Sequence, residues 1–199
     1  MKKPYVSLRA FSRDGYIVDQ RLLKNLPYGM KQSNYNGCGW VAAYNFLRAC
    51  GRKKEYDIVR QQLEDSLIFG GLVGTHIIQL YLYLRRHGFH LYWAWGREAA
   101  LKKAQQCKAG ILFYFNGTAL HFVTFVPALE EEVALAQQTD NAVQDDVNLA
   151  DTAGTNESVK PQWYRFFNGR MGSMQDYDML EHFLDSESQT SVLIQLTTK

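Results

Sequence analysis

The chain has 199 residues, enough for one domain and enough to bury roughly 70% of its unfolded surface without a disulfide or metal staple. With 46% hydrophobic and 21% charged residues it is neither a disordered chain nor a coiled coil, and a net charge of +2 gives no reason to expect nucleic acid. Its three cysteines, an odd number, argue against a disulfide framework and for a reducing, cytoplasmic setting.

Arg9, Arg13 and Asp14 interrupt the N-terminal segment, which therefore does not read as a secretory signal. No stretch approaches the roughly 20 apolar residues of a membrane span, so no membrane insertion is expected. The first 30 residues are weakly patterned, with a short strand at Tyr5, Val6 and Leu8. Residues 38–50 give the first strong helical pattern, through Val41, Tyr44, Phe46 and Leu47, and Gly51 stops it. A second helix is expected over 56–67. A glycine loop at Gly70, Gly71 and Gly74 follows, with Thr75 as N-cap of a third helix that ends at Gly88. A fourth helix is expected over 97–106.

The period then changes. Residues 90–95, 110–116, 120–126, 163–168 and 191–197 are short, aromatic and β-branched, and read as strands. Asn116-Gly117 is a hairpin signal, and one more helix is expected over 174–184. Helices first and strands second predict an α+β fold, an N-terminal helical part packed on a C-terminal antiparallel sheet, in a single domain over 1–199. Residues 128–162 interrupt it. They carry eight acidic residues and one lysine, and read as an acidic insertion: a solvated flap, or else a lid or a docking site for a basic partner.

Cys38 lies between Gly37 and Gly39 at the start of a helical segment. Flanking glycines leave a thiol open to approach, and a helix N-terminus favours the thiolate, which is the nucleophilic form. Gln32, six residues earlier, can donate to an oxyanion. His121 is a polar ring in an apolar strand and needs a partner. Asn168 ends another strand and can orient an imidazole by accepting its N–H. Each residue also has an ordinary reading: a buried free cysteine, a surface glutamine, a satisfied core histidine and a turn asparagine.

Together and in this order, Gln32, Cys38, His121 and Asn168 resemble the papain-like cysteine peptidase set, and Gln32-Ser-Asn-Tyr-Asn-Gly-Cys38-Gly-Trp40 resembles its nucleophile motif. Over about residues 32–126 the chain is most similar to the bacteriocin-processing peptidases that cut after double-glycine leaders. The shared features are a Cys-Gly helix ending at Gly51, the Gly74-Thr75 loop, the Gly88-Phe89 helix end and the His121-Phe122-Val123 strand. That branch has Asp where Asn168 stands, whereas papain itself has Asn. The resemblance implies a papain-like fold and a Cys-His-Asn thiol hydrolase acting on a peptide or protein substrate, with no cofactor. It also implies a Cys38–His121 ion pair, an oxyanion held by Gln32 and the Cys38 N–H, and Trp163 packed near Asn168. Acyl transfer of the transglutaminase kind uses the same triad, and an inactive peptide-binding module is the non-enzymatic alternative.

Overall fold

A computed structural model describes residues 6–72, 74–115, 117, 119–141, 162–168, 176–187 and 193–198. The chain is α+β. A two-stranded ribbon, β1 (Pro27–Tyr28) and β2 (Lys31–Gln32), leads into one helical turn, α1 (Ser33–Asn36), and then into α2 (Cys38–Ala49). The helices α3 (Tyr56–Glu64), α4 (Ile77–Arg86) and α5 (Arg97–Ala104) follow, with β3 (Tyr92–Trp95) between the last two. Next come β4 (Ala109–Phe115), β5 (Leu120–Pro127), α6 (Glu130–Asn141), β6 (Trp163–Phe167), β7 (Asp176–Met179), α7 (Leu180–Glu187) and β8 (Leu193–Thr198).

Six strands form one antiparallel sheet in the order β3-β8-β4-β5-β6-β7. Side chains alternate between its faces. Ile111, Phe122 and Leu196 pack with α2, α3 and α4 on one face, whereas Leu112, Tyr114, Val123 and Phe125 pack with Ala100, Ala104, Phe183 and Leu184 of α5 and α7 on the other. The sheet is therefore covered on both sides, not on one as its late position in the chain suggests.

Every residue of α2 from Gly39 to Leu47 is buried, including Trp40, Phe46 and Asn45. A helix apolar on all sides must lie in the interior. Complete burial of Trp40 and Phe46 stabilises the fold by about 2–3 kcal/mol each. The helix closes in a Schellman motif: Gly51 takes φ 78°, its N–H donates to Arg48 O, and Arg52 N–H donates to Leu47 O.

The weakly patterned N-terminal segment forms no strand at residue 8. Leu8–Ala10 is a 3-10 turn, and residues 14–20 run as a strap along α2. Asn45 serves as a strand partner for this strap, accepting from Ile17 N–H at 2.9 Å and donating to Ile17 O at 2.8 Å. Tyr44 donates to Gly15 O, and Arg48 to Asp14 O. At the far side Asp14 takes a bidentate ion pair from Arg165 of β6.

Two other expectations change. The third helix is capped by His76, not Thr75: His76 Nδ1 accepts from Ile78 N–H while Gln79 reaches back to His76 N–H. The late helix begins at residue 180, because 176–179 pair with β6 as a strand. Phe115 pairs with Leu120, as a β4–β5 hairpin requires, but Asn116 lies outside the described residues. So do residues 142–161, most of the acidic insertion; residues 130–141 form α6.

Candidate functional site

Cys38 is the first residue of α2, with Gly37 as N-cap. The glycines beside it serve close packing more than access. A side chain at Gly37 would meet Ser33 O and the Trp40 indole nitrogen, and one at Gly39 would meet the Thr75 side chain. Thr75 is in turn fixed by Tyr28, whose hydroxyl lies 2.6 Å from Thr75 Oγ1 in the interior. The ribbon β1–β2 and Thr75 thus clamp the start of α2.

The strand β5 sets the other wall. Thr124 Oγ1 donates to Ala42 O at 2.8 Å, pinning α2 to β5. Stepping back from Ala42 to Cys38 is about 6 Å of helix, and from Thr124 to Phe122 about 6.6 Å of strand. The two rises match, and the Phe122 N–H, together with those of Cys38 and Gly39, acts on the sulfur.

His121 leaves β5 on the Tyr114 face. It pairs with Tyr114 across the ladder, and the two rings meet edge-on with centroids 5.9 Å apart. Among the described residues the β5–β6 ladder ends at Thr124–Phe167, so β5 is open on its β6 side at this point. The imidazole uses that opening: its Nε2 lies 2.8 Å from Asn168 O. A carbonyl can only accept, so Nε2 carries the proton and Nδ1 keeps a lone pair.

Asn168 thus meets His121 through its backbone and not through its amide. Its φ of 62° is left-handed, a conformation that asparagine tolerates better than most residues, and the turn aims the carbonyl at the ring. The side chain is engaged elsewhere. Asn168 Nδ2 donates to Gln20 Oε1 and Asn168 Oδ1 accepts Gln20 N–H, both at 3.0 Å.

The expected residues are therefore only partly united. Cys38, His121 and Asn168 converge on one end of β5, but no Cys38–His121 hydrogen bond is present among the described residues. Gln32 lies at the N-cap of α1, exposed and with no capping side-chain bond; with its amide turned over, the nitrogen lies 3.2 Å from Lys24 O and 3.3 Å from Leu26 O, within reach of the 24–26 turn. Trp40 is buried and donates to Ser33 Oγ. Trp163 pairs with Met179 at the opposite end of β6 from Asn168; the aromatic beside Asn168 is Phe167, stacked on Tyr16 at 4.0 Å.

The electrostatics also depart from the expected ion pair. Burial pushes the Cys38 thiol above its ordinary 9.0, outweighing the backbone N–H groups that favour the thiolate. Burial holds the His121 imidazole below 6.5, against the opposing pull of the Asn168 carbonyl. At neutral pH the resting site is a thiol and a neutral imidazole, because desolvation of both groups exceeds the effect of one helix terminus. Burial also pushes Cys50 up to about 11 and Cys107 up to about 12.

Among the described residues no cluster of three or more His, Cys, Asp or Glu side chains gathers to hold a metal, and no helix is long and apolar enough to cross a membrane. Compared with family models and with curated protein sequences, the chain matches none.

Gln20 was not legible as part of this site. A glutamine in an unpatterned segment carries no sequence signal, and its partners lie 13, 14 and 148 residues away.

Proposed function

We propose that the chain is a papain-like thiol hydrolase that cleaves a peptide or amide bond, with Cys38 as nucleophile, His121 as base and acid, and Asn168 as the group that orients His121. The observation that supports this most is that Cys38 opens α2, which Thr124 pins to β5, while the ring of His121 on that same strand is held in the Nε2–H tautomer by Asn168.

With a neutral pair at rest, the His121 ring first turns from the Tyr114 face toward Cys38, and the thiol proton then passes to its Nδ1 as Sγ attacks the substrate carbonyl carbon. The carbonyl oxygen becomes an oxyanion, and the free N–H groups at the start of α2 stabilise it. The C–N bond breaks as His121 returns the proton to the leaving amine. Water, deprotonated by the same imidazole, then releases the acid from the thioester. Gln32 joins the oxyanion site only by leaving the 24–26 turn.

The test is proteolysis of a peptide library with mass-spectrometric sequencing of new termini. Cleavage that is lost in Cys38→Ser and in His121→Ala supports the proposal. Cleavage unchanged in Cys38→Ser sinks it. The missing Cys38–His121 hydrogen bond favours a second reading, a peptide-binding module without catalysis. Retention of library peptides with none cut would establish that reading instead.

A further inference from the structure

The N-terminal strap carries a residue that joins the two halves of the site. Gln20 is only 7% exposed, and every polar atom of its side chain is used. Its Nε2 donates to Ser33 O at 2.8 Å and to Asn34 O at 3.3 Å. Its Oε1 accepts from Asn168 Nδ2, and its own N–H donates to Asn168 Oδ1. Ser33 and Asn34 belong to α1, the turn that feeds Cys38. Asn168 presents the carbonyl that holds His121. One side chain therefore bonds both to the segment leading into the proposed nucleophile and to the residue that orients the proposed base.

We infer that Gln20 is the positioning residue of the site, setting the left-handed turn at Asn168 that aims its carbonyl at His121 and fixing that turn relative to the start of α2. This rests on the thiol-hydrolase reading for its consequence, but not for its geometry. The physical reason is specific. A left-handed non-glycine residue is unfavourable on its own and persists only where its surroundings over-determine it. Asn168 sits at the end of β6, past the last described ladder pair with β5, so the ladder does not hold it. The Gln20 pair of hydrogen bonds does, in an amide-to-amide arrangement that fixes both position and rotation. Gln20 is itself held by the 3-10 turn Gln20–Leu22, which Asp19 caps by accepting Arg21 N–H. Without the tether the Asn168 carbonyl is free to rotate, and the imidazole loses the acceptor that excludes the Nδ1–H tautomer.

Two readouts test this, one independent of catalysis. The first is the His121 tautomer, read from ring nitrogen shifts in long-range proton–nitrogen NMR spectra of the full chain. The second is the iodoacetamide alkylation rate of Cys38, followed by peptide mass spectrometry from pH 6 to 9. The variants are Gln20→Leu, which removes all side-chain bonds, and Gln20→Glu, which loses the donor to Ser33 and Asn34 and sets a carboxylate against their carbonyl oxygens, so that repulsion drives the side chain from its place beside Asn168. The second variant serves if the first fails to fold.

The expected result is a single Nε2–H tautomer in the wild type and a mixture in the variants, with Cys38 alkylation slowed on the order of tenfold and its pH profile shifted. A wild-type tautomer and a wild-type profile in a folded variant overturn the inference. Failure of the hydrolase reading has a different signature: alkylation of Cys38 that ignores His121→Ala in an otherwise wild-type chain, whatever the tautomer in the Gln20 variants.

Discussion

The carbonyl oxygen of Asn168 lies 2.8 Å from Nε2 of His121, while the Asn168 amide faces away and pairs with Gln20. The residue type at 168 is therefore set by two demands, a left-handed backbone and a side chain that can answer Gln20. Asn168→Gly satisfies the first alone, and Asn168→Val neither. The valine variant should be less stable than the glycine variant by about 1–2 kcal/mol, the cost of a left-handed β-branched residue. Urea unfolding of the two, compared directly, checks this; equal midpoints and slopes would contradict it.

Asn45 replaces a β-strand partner by bonding both the N–H and the carbonyl of Ile17. Asn45→Leu removes both bonds and leaves two backbone groups buried. A loss of about 2–4 kcal/mol is expected in urea unfolding. A loss under about 0.5 kcal/mol, the scale of an ordinary surface change, would show that the strap is not anchored through this residue.

Gly39 is in contact with Thr75, which Tyr28 fixes from the other side. Gly39→Ala should cost about 1–3 kcal/mol by overpacking. Combining it with Thr75→Gly should cost less than the sum of the two single changes. Strict additivity in thermal or urea melts would place the strain elsewhere.

His121 is partly buried, and desolvation holds it below its ordinary value of 6.5. As pH falls below about 6.5 the unfolded chain takes up this proton before the folded one does, so His121 lowers stability on the acid side. Replacing it by glutamine should reduce the loss of melting temperature between pH 7 and pH 5. An identical pH dependence in wild type and His121→Gln would argue that the ring is not desolvated. The burial of Cys38 acts on the other side, lowering stability as pH rises above 9.0.

Much of this was legible in the sequence where one periodicity dominates. Residues 38–50 carry apolar side chains at helical spacing, and β4 and β5 are short aromatic and β-branched runs, so that the helix, the two strands and the place of His121 within one could be read directly. What stayed hidden depends on partners far along the chain. Thr75 has the composition of a cap, but it is drawn to Tyr28, 47 residues earlier, and His76 caps instead. The strand at 176–179 is too short and polar to announce itself and exists because β6 offers it an edge. Gln20 and Asn45 are amides that complete backbone hydrogen bonding across the fold, a role with no local pattern. Gln32 stands at the spacing of an oxyanion donor, yet with its amide turned over the nitrogen comes within reach of the carbonyls of Lys24 and Leu26. The direction of the Cys38 shift likewise follows from burial by distant segments, which no motif around residue 38 records.

The central claim is that Cys38 and His121 act as one chemical unit. Alkylation of the three cysteines by iodoacetamide, resolved by peptide mass spectrometry in wild type and His121→Ala at pH 6 to 9, tests it most directly. Cys50 and Cys107, pushed up to about 11 and about 12, serve as internal references. The account predicts that Cys38 reacts first in the wild type and slows by on the order of 100-fold in His121→Ala, the scale of lost general-base assistance, with the other two unchanged. Cys38 reacting no faster than its neighbours, or at the same rate with and without His121, would contradict it.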